Sequence, residues 1–215
     1  CPDLLIAKAS AMTQNIKLAT GITLLPIHNP VELAHRIAML DHLTRGRFYW
    51  GIGHRAIPTD LALFGLDPKK GEEVREQAAE VLDIVLKIWA NEGKFSYHGK
   101  YFDIDAPELD SVMERGLHMK PFQKPHPPLF QPFASSENSI RWCAREGVTA
   151  VLPTMHVKHE NNLARLYAEE SGRPPGDGVA RPRRSAPRGA PWWGRLPRPR
   201  AAKRVFFCRH ASCRN

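Results

Sequence analysis

The sequence predicts an α/β fold built on a parallel sheet, and three adjacent segments support this prediction. Residues 16–27 form an apolar run rich in β-branched residues, typical of a strand buried on both faces of a parallel sheet. A helical pattern follows over residues 30–43, and residues 47–52 return as a second strand. This order is a βαβ unit, so we expect ligand chemistry at the carboxyl ends of the strands.

The helix of this unit has clear boundary signals in the sequence. Asn29 is a suitable N-cap, Pro30 suits the first helical turn, and Gly46 ends the helix. The positions expected to form its buried stripe are Leu33, Ile37, Leu40 and Leu43.

A short glycine-containing loop follows the second strand. Gly51, Gly53, His54 and Arg55 lie at its carboxyl end, where α/β sheets bind their ligands. We therefore look for function at this loop first.

The rest of the globular part continues the alternation of strands and helices. A long helix expected over 72–90 carries glutamates in its first turns, where negative charge suits the helix dipole. We expect a loop over 56–70, a helix over 72–90, a β-hairpin over 94–104, a strand over 128–134, a helix over 140–146 and a strand over 149–153.

The turn before the 140–146 helix is rich in hydroxyl groups. Ser136 or Ser139 can cap the helix, which leaves free N–H groups that suit a phosphate at the helix N-terminus. An ordinary N-cap with no ligand is the alternative interpretation. Trp142 and Cys143 are expected to pack between the helix and the sheet.

The charge of the chain is concentrated at one end. The formal net charge is +9, but residues 172–215 carry +11, which leaves −2 for residues 1–171. The globular part is therefore not basic, and its charge does not indicate an anionic macromolecular partner.

The segment 172–215 alternates proline and arginine without any hydrophobic period, so we expect it to be disordered. One interpretation is a basic tail that binds nucleic acid or a membrane surface. The other is an out-of-frame translation of a G+C-rich gene, favoured because the change of composition interrupts the helix-like stretch 160–171 and does not fall at a domain boundary. We thus expect two regions, a globular part over 1–171 and a basic tail over 172–215.

Several features favour a soluble cytoplasmic protein. No apolar stretch is long enough to cross a membrane, and no secretory signal opens the chain. Its four cysteines are too few and scattered for a disulfide framework, and Cys208, His210 and Cys213 lack a fourth metal ligand nearby. We predict no metal site. Residues 1–12 resemble the end of a helix whose preceding strand is absent, which indicates a fragment.

Taken together, these blocks resemble the bacterial luciferase-like flavin-dependent monooxygenases over residues 1–170. The resemblance rests on LATGITLLPIHNPVELAHRIAMLDHLTRGRF, GIGHRA, FGLD, REQAAEVLDIVLKIW, FSYHGKYFDI and KPFQKPHPPLFQPFASSENSIRWCAREG, in this order and spacing. It implies an α/β fold that is an incomplete TIM (β/α)8 barrel, with a disordered Arg/Pro-rich C-terminal tail. In this family reduced flavin reacts with O2, and one oxygen atom enters an organic substrate.

The resemblance also implies positions for the cofactor. Thr20, Gly21 and Ile22 would lie beside the isoalloxazine ring of FMN, with glycine permitting close approach. The phosphate would be held by His54 or Arg55, of which arginine is the better match to phosphate geometry, and by three serines. These are Ser135, Ser136 and Ser139.

Other parts of the family's machinery are not matched. The family's proton-handling histidine lies after the second barrel strand, before the first residue of this chain, so no catalytic residue is assigned. The resemblance implies a small organic substrate, O2, a separate NAD(P)H-dependent flavin reductase and a homodimer, and no GxGxxG fingerprint is present. Two alternatives stay open: an F420-dependent oxidoreductase on the same barrel, and a non-enzymatic nucleic-acid-binding protein with a basic tail.

Overall fold

The structure is a computed structural model that describes residues 1–54, 58–108, 117, 119–132, 134, 136–152, 157–174, 177–180 and 205–208. Helices and strands alternate along most of it. The helices are α1 (Pro2–Met12), α2 (Pro30–Leu43), α3 (Pro58–Leu63), α4 (Gly71–Ala90), α5 (Glu137–Arg145) and α6 (Val157–Ser171). The strands are β1 (Lys17–Thr20), β2 (Thr23–Leu24), β3 (Phe48–Gly53), β4 (Phe95–His98), β5 (Asp103–Ala106), β6 (Leu129–Pro132), β7 (Thr149–Val151), β8 (Val179–Ala180) and β9 (Val205–Cys208).

The main sheet is parallel, as predicted. Its strand order is β8-β7-β6-β3-β1-β9, and β2 pairs with β3 beyond the end of β1. Leu18 is paired with Phe48, and Trp50 with Leu129. Because every described pairing in this sheet is parallel, the carboxyl ends of β1, β3, β6 and β7 meet at one edge.

The two faces of this sheet differ in what covers them. One face packs against the helices and holds the main core, including Leu18, Phe48 and Trp50 of the sheet. Alternate residues point the other way. They form a second cluster of four buried residues, which we call the inner-face cluster: Ala19, Tyr49, Phe130 and Val151.

The prediction for α2 is confirmed at both ends. The Asn29 side chain accepts hydrogen bonds from the backbone N–H groups of Val31 and Glu32, as an N-cap should. Leu33, Ile37 and Leu40 are buried. Leu43 was wrongly included in the stripe, because its side chain is 49% exposed in the last helical turn.

The apolar run 16–27 does not form the single strand that its composition predicts. β1 ends at Thr20, β2 begins at Thr23, and Leu25–Ile27 form a 3-10 turn. The predicted loop 56–70 is also more regular than expected, because α3 lies within it. The local apolar pattern revealed neither the break between β1 and β2 nor the helix α3.

The predicted hairpin is confirmed, with β4 and β5 antiparallel, and it is fastened to α4 by one carboxylate. Glu80 accepts hydrogen bonds from the backbone N–H groups of Lys100, Tyr101 and Phe102 at 2.9–3.2 Å. Glu76 adds an ion pair to Lys100 and accepts a bond from the Tyr101 hydroxyl. The hairpin tip is therefore held by charge-assisted bonds rather than by apolar burial alone.

We expect Glu80→Gln to loosen the hairpin tip and to lower the free energy of unfolding by about 1.5–3 kcal/mol, the scale of hydrogen bonds to a charged group. Amide hydrogen exchange at residues 100–102 should accelerate well above the wild-type rate. Glu73→Gln is the matched control, since Glu73 on the same helix forms only an exposed pair with Lys70. Unchanged exchange in Glu80→Gln would contradict the fastening role.

Two short segments of the predicted tail form strands. Val179–Ala180 pairs with β7, and Val205–Cys208 pairs in parallel with all four residues of β1. Val-Phe-Phe has high β propensity and lies along an edge of β1 that no other described strand occupies, which explains the pairing. The other residues of 181–215 lie outside the described part of the chain. No helix within the described ranges has the length and apolar character needed to span a bilayer.

Candidate functional site

The carboxyl ends of β1 and β3 approach each other unusually closely. A Cβ atom on Gly51 would overlap the Thr20 carbonyl oxygen and would lie 2.6 Å from Cζ of Phe130. A Cβ atom on Gly53 would overlap Cδ1 of Ile22. The two glycines therefore let residues 20–22 lie directly against β3, at the edge where ligand chemistry is expected.

The hydroxyl of Thr20 is fully used within the protein. It donates to the Gly51 carbonyl oxygen at 3.0 Å and accepts from the Gly51 N–H at 3.0 Å. It also accepts from the Thr23 hydroxyl at 3.4 Å. One donor and two acceptor positions exhaust a hydroxyl group, so Thr20 could form a hydrogen bond to a ligand only through its backbone.

Gly21 and Ile22 form a two-residue bend between β1 and β2, and both are partly exposed. The flanking residues Thr20 and Thr23 are buried. The Ile22 side chain lies across Gly53, which immediately precedes His54. The bend is thus the accessible part of this edge and leads directly to the end of β3.

His54 connects β3 to the next part of the edge. Its imidazole contacts the Trp142 indole edge-on, with ring centroids 6.1 Å apart. Trp142 is one helical turn after Ser139 on α5. The structure therefore arranges Ile22, Gly53, His54 and the start of α5 as a continuous arc, which we call the carboxyl-edge arc.

The capping prediction for α5 is confirmed. Ser136 is the N-cap, and its hydroxyl accepts from the Ser139 N–H at 3.2 Å and donates to the Ser139 hydroxyl at 2.9 Å. Ser139 accepts this proton, and among the described residues its own hydroxyl has no acceptor, so it can donate to a ligand. An outward hydroxyl at a helix N-terminus favours an anion.

Of the eight predicted site residues, Arg55 and Ser135 lie outside the described residues. The remaining six all lie at the carboxyl edge of the sheet: Thr20, Gly21, Ile22, His54, Ser136 and Ser139. Sequence reasoning missed Thr23 and Trp50, and it assigned Trp142 to packing alone. A hydroxyl two residues after a glycine in an apolar run was the available signal for Thr23.

The cysteine beside the site is not a nucleophile. Cys143 on α5 is fully buried, its Sγ lies 3.3 Å from Oε1 of Gln131, and burial raises the pKa of its thiol to about 12. The thiolate needed for nucleophilic attack is therefore negligible near neutral pH. The part of the chain that the structure describes contains no group of three or more His, Cys, Asp or Glu residues suited to a metal ion.

We expect Cys143 to resist iodoacetamide at pH 8 in the folded protein and to react fully in urea, because only unfolding exposes the thiol. Peptide mass mapping gives the result for each cysteine, and the exposed Cys1 is the internal control. Fast labelling of Cys143 at pH 8 would contradict the burial of this helix face.

The pattern of a parallel sheet, helices and a carboxyl-edge site has a match among known families. The family model described as luciferase-like monooxygenase matches residues 2–188. The chain belongs to the luciferase-like monooxygenase family. Its sheet and helices are accordingly part of the (β/α)8 barrel of this family, in which the inner-face cluster points into the barrel.

Curated members of the luciferase-like monooxygenase family show the same relationship. The chain is 37% identical over 108 residues to 4-hydroxyprotoasukamycin monooxygenase of Streptomyces nodosus subsp. asukaensis, covering 50% of this chain and 28% of that protein. It is 36% identical over 114 residues to 2,5-diketocamphane 1,2-monooxygenase 1 of Pseudomonas putida, covering 53% of this chain and 31% of that protein. The chain thus matches only about a third of each of these relatives.

Solved structures of luciferase-like enzymes match the fold. The oxygenating constituent of 3,6-diketocamphane monooxygenase from Pseudomonas putida, solved in complex with FMN, superposes with a TM-score of 0.73 and 27% identity. The match covers 83% of this chain and 50% of that one. An F420-dependent secondary alcohol dehydrogenase matches with a TM-score of 0.64 and 19% identity over 80% and 50% of the two chains, which shows the fold alone.

Proposed function

We propose that this chain is the flavin-binding part of a flavin-dependent monooxygenase that uses reduced FMN and O2 to oxygenate a small organic substrate. The observation that carries the proposal is the carboxyl-edge arc, in which an accessible glycine-containing bend and a serine-capped helix N-terminus lie at one edge of the sheet. The FMN complex of the diketocamphane enzyme supports the choice of cofactor.

The donor set of the arc fits FMN at both of its ends. Gly21 and Ile22 offer backbone groups and an apolar side chain to a flat ring, and Gly51 and Gly53 keep the bend close to β3. At the other end, the N-terminus of α5 and the hydroxyl of Ser139, as a donor, suit the phosphate dianion. His54 lies between the two ends.

Bound FMN would supply the redox chemistry, including the reaction with O2. The chain's own part is to bind and orient the cofactor and to exclude water. The inner-face cluster is apolar apart from the Tyr49 hydroxyl, and its Ala19 lies two residues before the bend, so it would give the site an apolar, water-excluding floor. The described residues assign no proton donor to the reaction.

The remaining elements of the proposal concern partners. Reduced FMN would come from a separate NAD(P)H-dependent flavin reductase, and the complete enzyme would be a homodimer in the cytoplasm. The alternative cofactor is F420, which a dehydrogenase with the same fold uses. Parallel titrations of FMN and F420, followed by absorbance, distinguish the two cofactors.

We expect Ser139→Ala to weaken FMN binding about tenfold or more and to leave riboflavin binding within about twofold. The hydroxyl would donate to a charged phosphate oxygen, a bond worth about 1.5–3 kcal/mol, and riboflavin has no phosphate. Flavin fluorescence quenching measures both affinities.

Ser96→Ala, at an exposed position of β4, is the matched control and should bind both flavins normally. Equal weakening of FMN and riboflavin in Ser139→Ala would remove this serine from the phosphate site. Failure of the unsubstituted chain to bind either FMN or F420 would overturn the proposed function.

A further inference from the structure

The accessible bend of the candidate site is held between two buried threonines. Thr20 ends β1 and Thr23 begins β2, and both side chains are buried while Gly21 and Ile22 between them are partly exposed. The shape of the bend therefore depends on how its two ends are fixed.

A chain of side-chain hydrogen bonds fixes both ends to β3. The Trp50 indole Nε1–H donates to the Thr23 hydroxyl at 3.1 Å, and this hydroxyl donates to Thr20. Thr20 in turn exchanges two bonds with the Gly51 backbone. Thr23 is thus the central member of this chain of bonds, since its hydroxyl joins the Trp50 indole to Thr20 at the other end of the bend.

The tryptophan is itself immobilised by its surroundings. Trp50 is 0% exposed and contacts Trp89 of α4 edge-on, with ring centroids 5.4 Å apart. The Trp89 indole donates to the Ala34 carbonyl oxygen of α2 at 3.1 Å. The hydroxyl of Thr23 therefore accepts its bond from the Trp50 indole, and this indole packs against Trp89, a side chain that joins α4 to α2.

We propose that Thr23 is a positioning residue for the cofactor ring: its hydroxyl keeps the Gly21–Ile22 bend in the form that receives the isoalloxazine. This inference rests on the proposed function. The Thr23 hydroxyl points to Trp50 and Thr20, on the helix-facing side of the sheet, so it acts through the bend and not by touching the ring.

The test compares Thr23→Val, which keeps the side-chain shape and loses the hydroxyl, with Thr23→Ser, which keeps the hydroxyl. FMN and riboflavin are titrated into each folded variant of the full 215-residue chain, and the visible circular dichroism of bound flavin reports the ring environment. Thr44→Val is the matched control, because Thr44 is a buried threonine whose hydroxyl donates to the Asp41 carbonyl oxygen at the other end of β3.

We expect Thr23→Val to weaken FMN and riboflavin equally, by about five- to tenfold, because the ring site and not the phosphate site is altered. Its flavin dichroism should change, and Thr23→Ser should restore wild-type values. Thr44→Val should lower thermal stability without changing flavin affinity or dichroism.

Wild-type affinity and dichroism in folded Thr23→Val would overturn the inference, as would equal loss of affinity in Thr44→Val. If Thr23→Val does not fold, Trp50→Phe removes the donor to Thr23 and is judged by the same dichroism and affinity criteria. Absence of flavin binding by the unsubstituted chain overturns the proposed function, and the inference with it, whereas normal binding by the chain and by Thr23→Val overturns the inference alone.

Discussion

Replacing Gly51 with alanine should lower the free energy of unfolding by more than about 3 kcal/mol, at or beyond the upper end of overpacking effects. The added methyl group would overlap the Thr20 carbonyl oxygen, which is fixed in the sheet, and would press on the Phe130 ring at 2.6 Å. Neither neighbour is the free end of a flexible side chain. Urea denaturation followed by tryptophan fluorescence measures the effect.

Two other glycines give matched comparisons for this variant. Gly93→Ala adds a methyl group into open space and should change stability by less than about 0.5 kcal/mol. In Gly53→Ala the added methyl group would meet only the movable end of the Ile22 side chain. This variant should therefore lower the free energy of unfolding less than Gly51→Ala does, while it disturbs the bend. Equal stability of the Gly51 and Gly93 variants would contradict the close approach of β1 and β3.

Removing the carboxylate of Asp41 should lower the free energy of unfolding by about 2–4 kcal/mol. The two donor groups of Gln123 that bond to this carboxylate would lose their acceptor. Asp41 is 0% exposed and accepts two 2.7 Å hydrogen bonds from Gln123, one from the backbone N–H and one from the side-chain amide. These bonds tie α2 to the segment that precedes β6. Glu72→Ala is the control, since it removes an exposed ion pair with Arg75 and should lower the free energy of unfolding by less than about 1 kcal/mol.

The same carboxylate should give a pH dependence of defined sign. Burial raises the pKa of Asp41 above its ordinary value of 3.8, although the bonds from Gln123 oppose this rise. The folded protein therefore binds this proton more tightly than the unfolded chain does, and the stabilisation is complete below pH 3.8. The stability of the wild type relative to Asp41→Asn should fall as the pH rises through the raised pKa and then stay level. An increase of this relative stability with rising pH would contradict the prediction.

Local signals in the sequence were sufficient for several elements. Asn29 and Pro30 defined the start of α2, and Ser136 was one of the two predicted caps of α5, although that helix begins at Glu137 and not at the predicted residue 140. The carboxyl edge of the sheet also followed from the βαβ order. These are properties of short segments, which a sequence displays directly.

Other features depend on contacts between distant segments. The break of the run 16–27 is held by Trp50 and Gly51, about 30 residues further along the chain, and the burial of Asp41 depends on Gln123. Composition alone made the run resemble one continuous strand. Thr20 was expected beside the cofactor, but the partner of its hydroxyl, Gly51, could be identified only once the register of β1 and β3 was known.

The unequal division of the core between the two faces of the sheet bears on how this fold changes during evolution. Among the described residues, most of the buried apolar ones lie between the sheet and the helices, whereas four form the inner-face cluster. Exchanges in the inner-face cluster therefore reshape the interior of the barrel while most of the stabilising contacts are retained. A lineage with this distribution is able to acquire new substrates through a few inward-facing substitutions without rebuilding its scaffold.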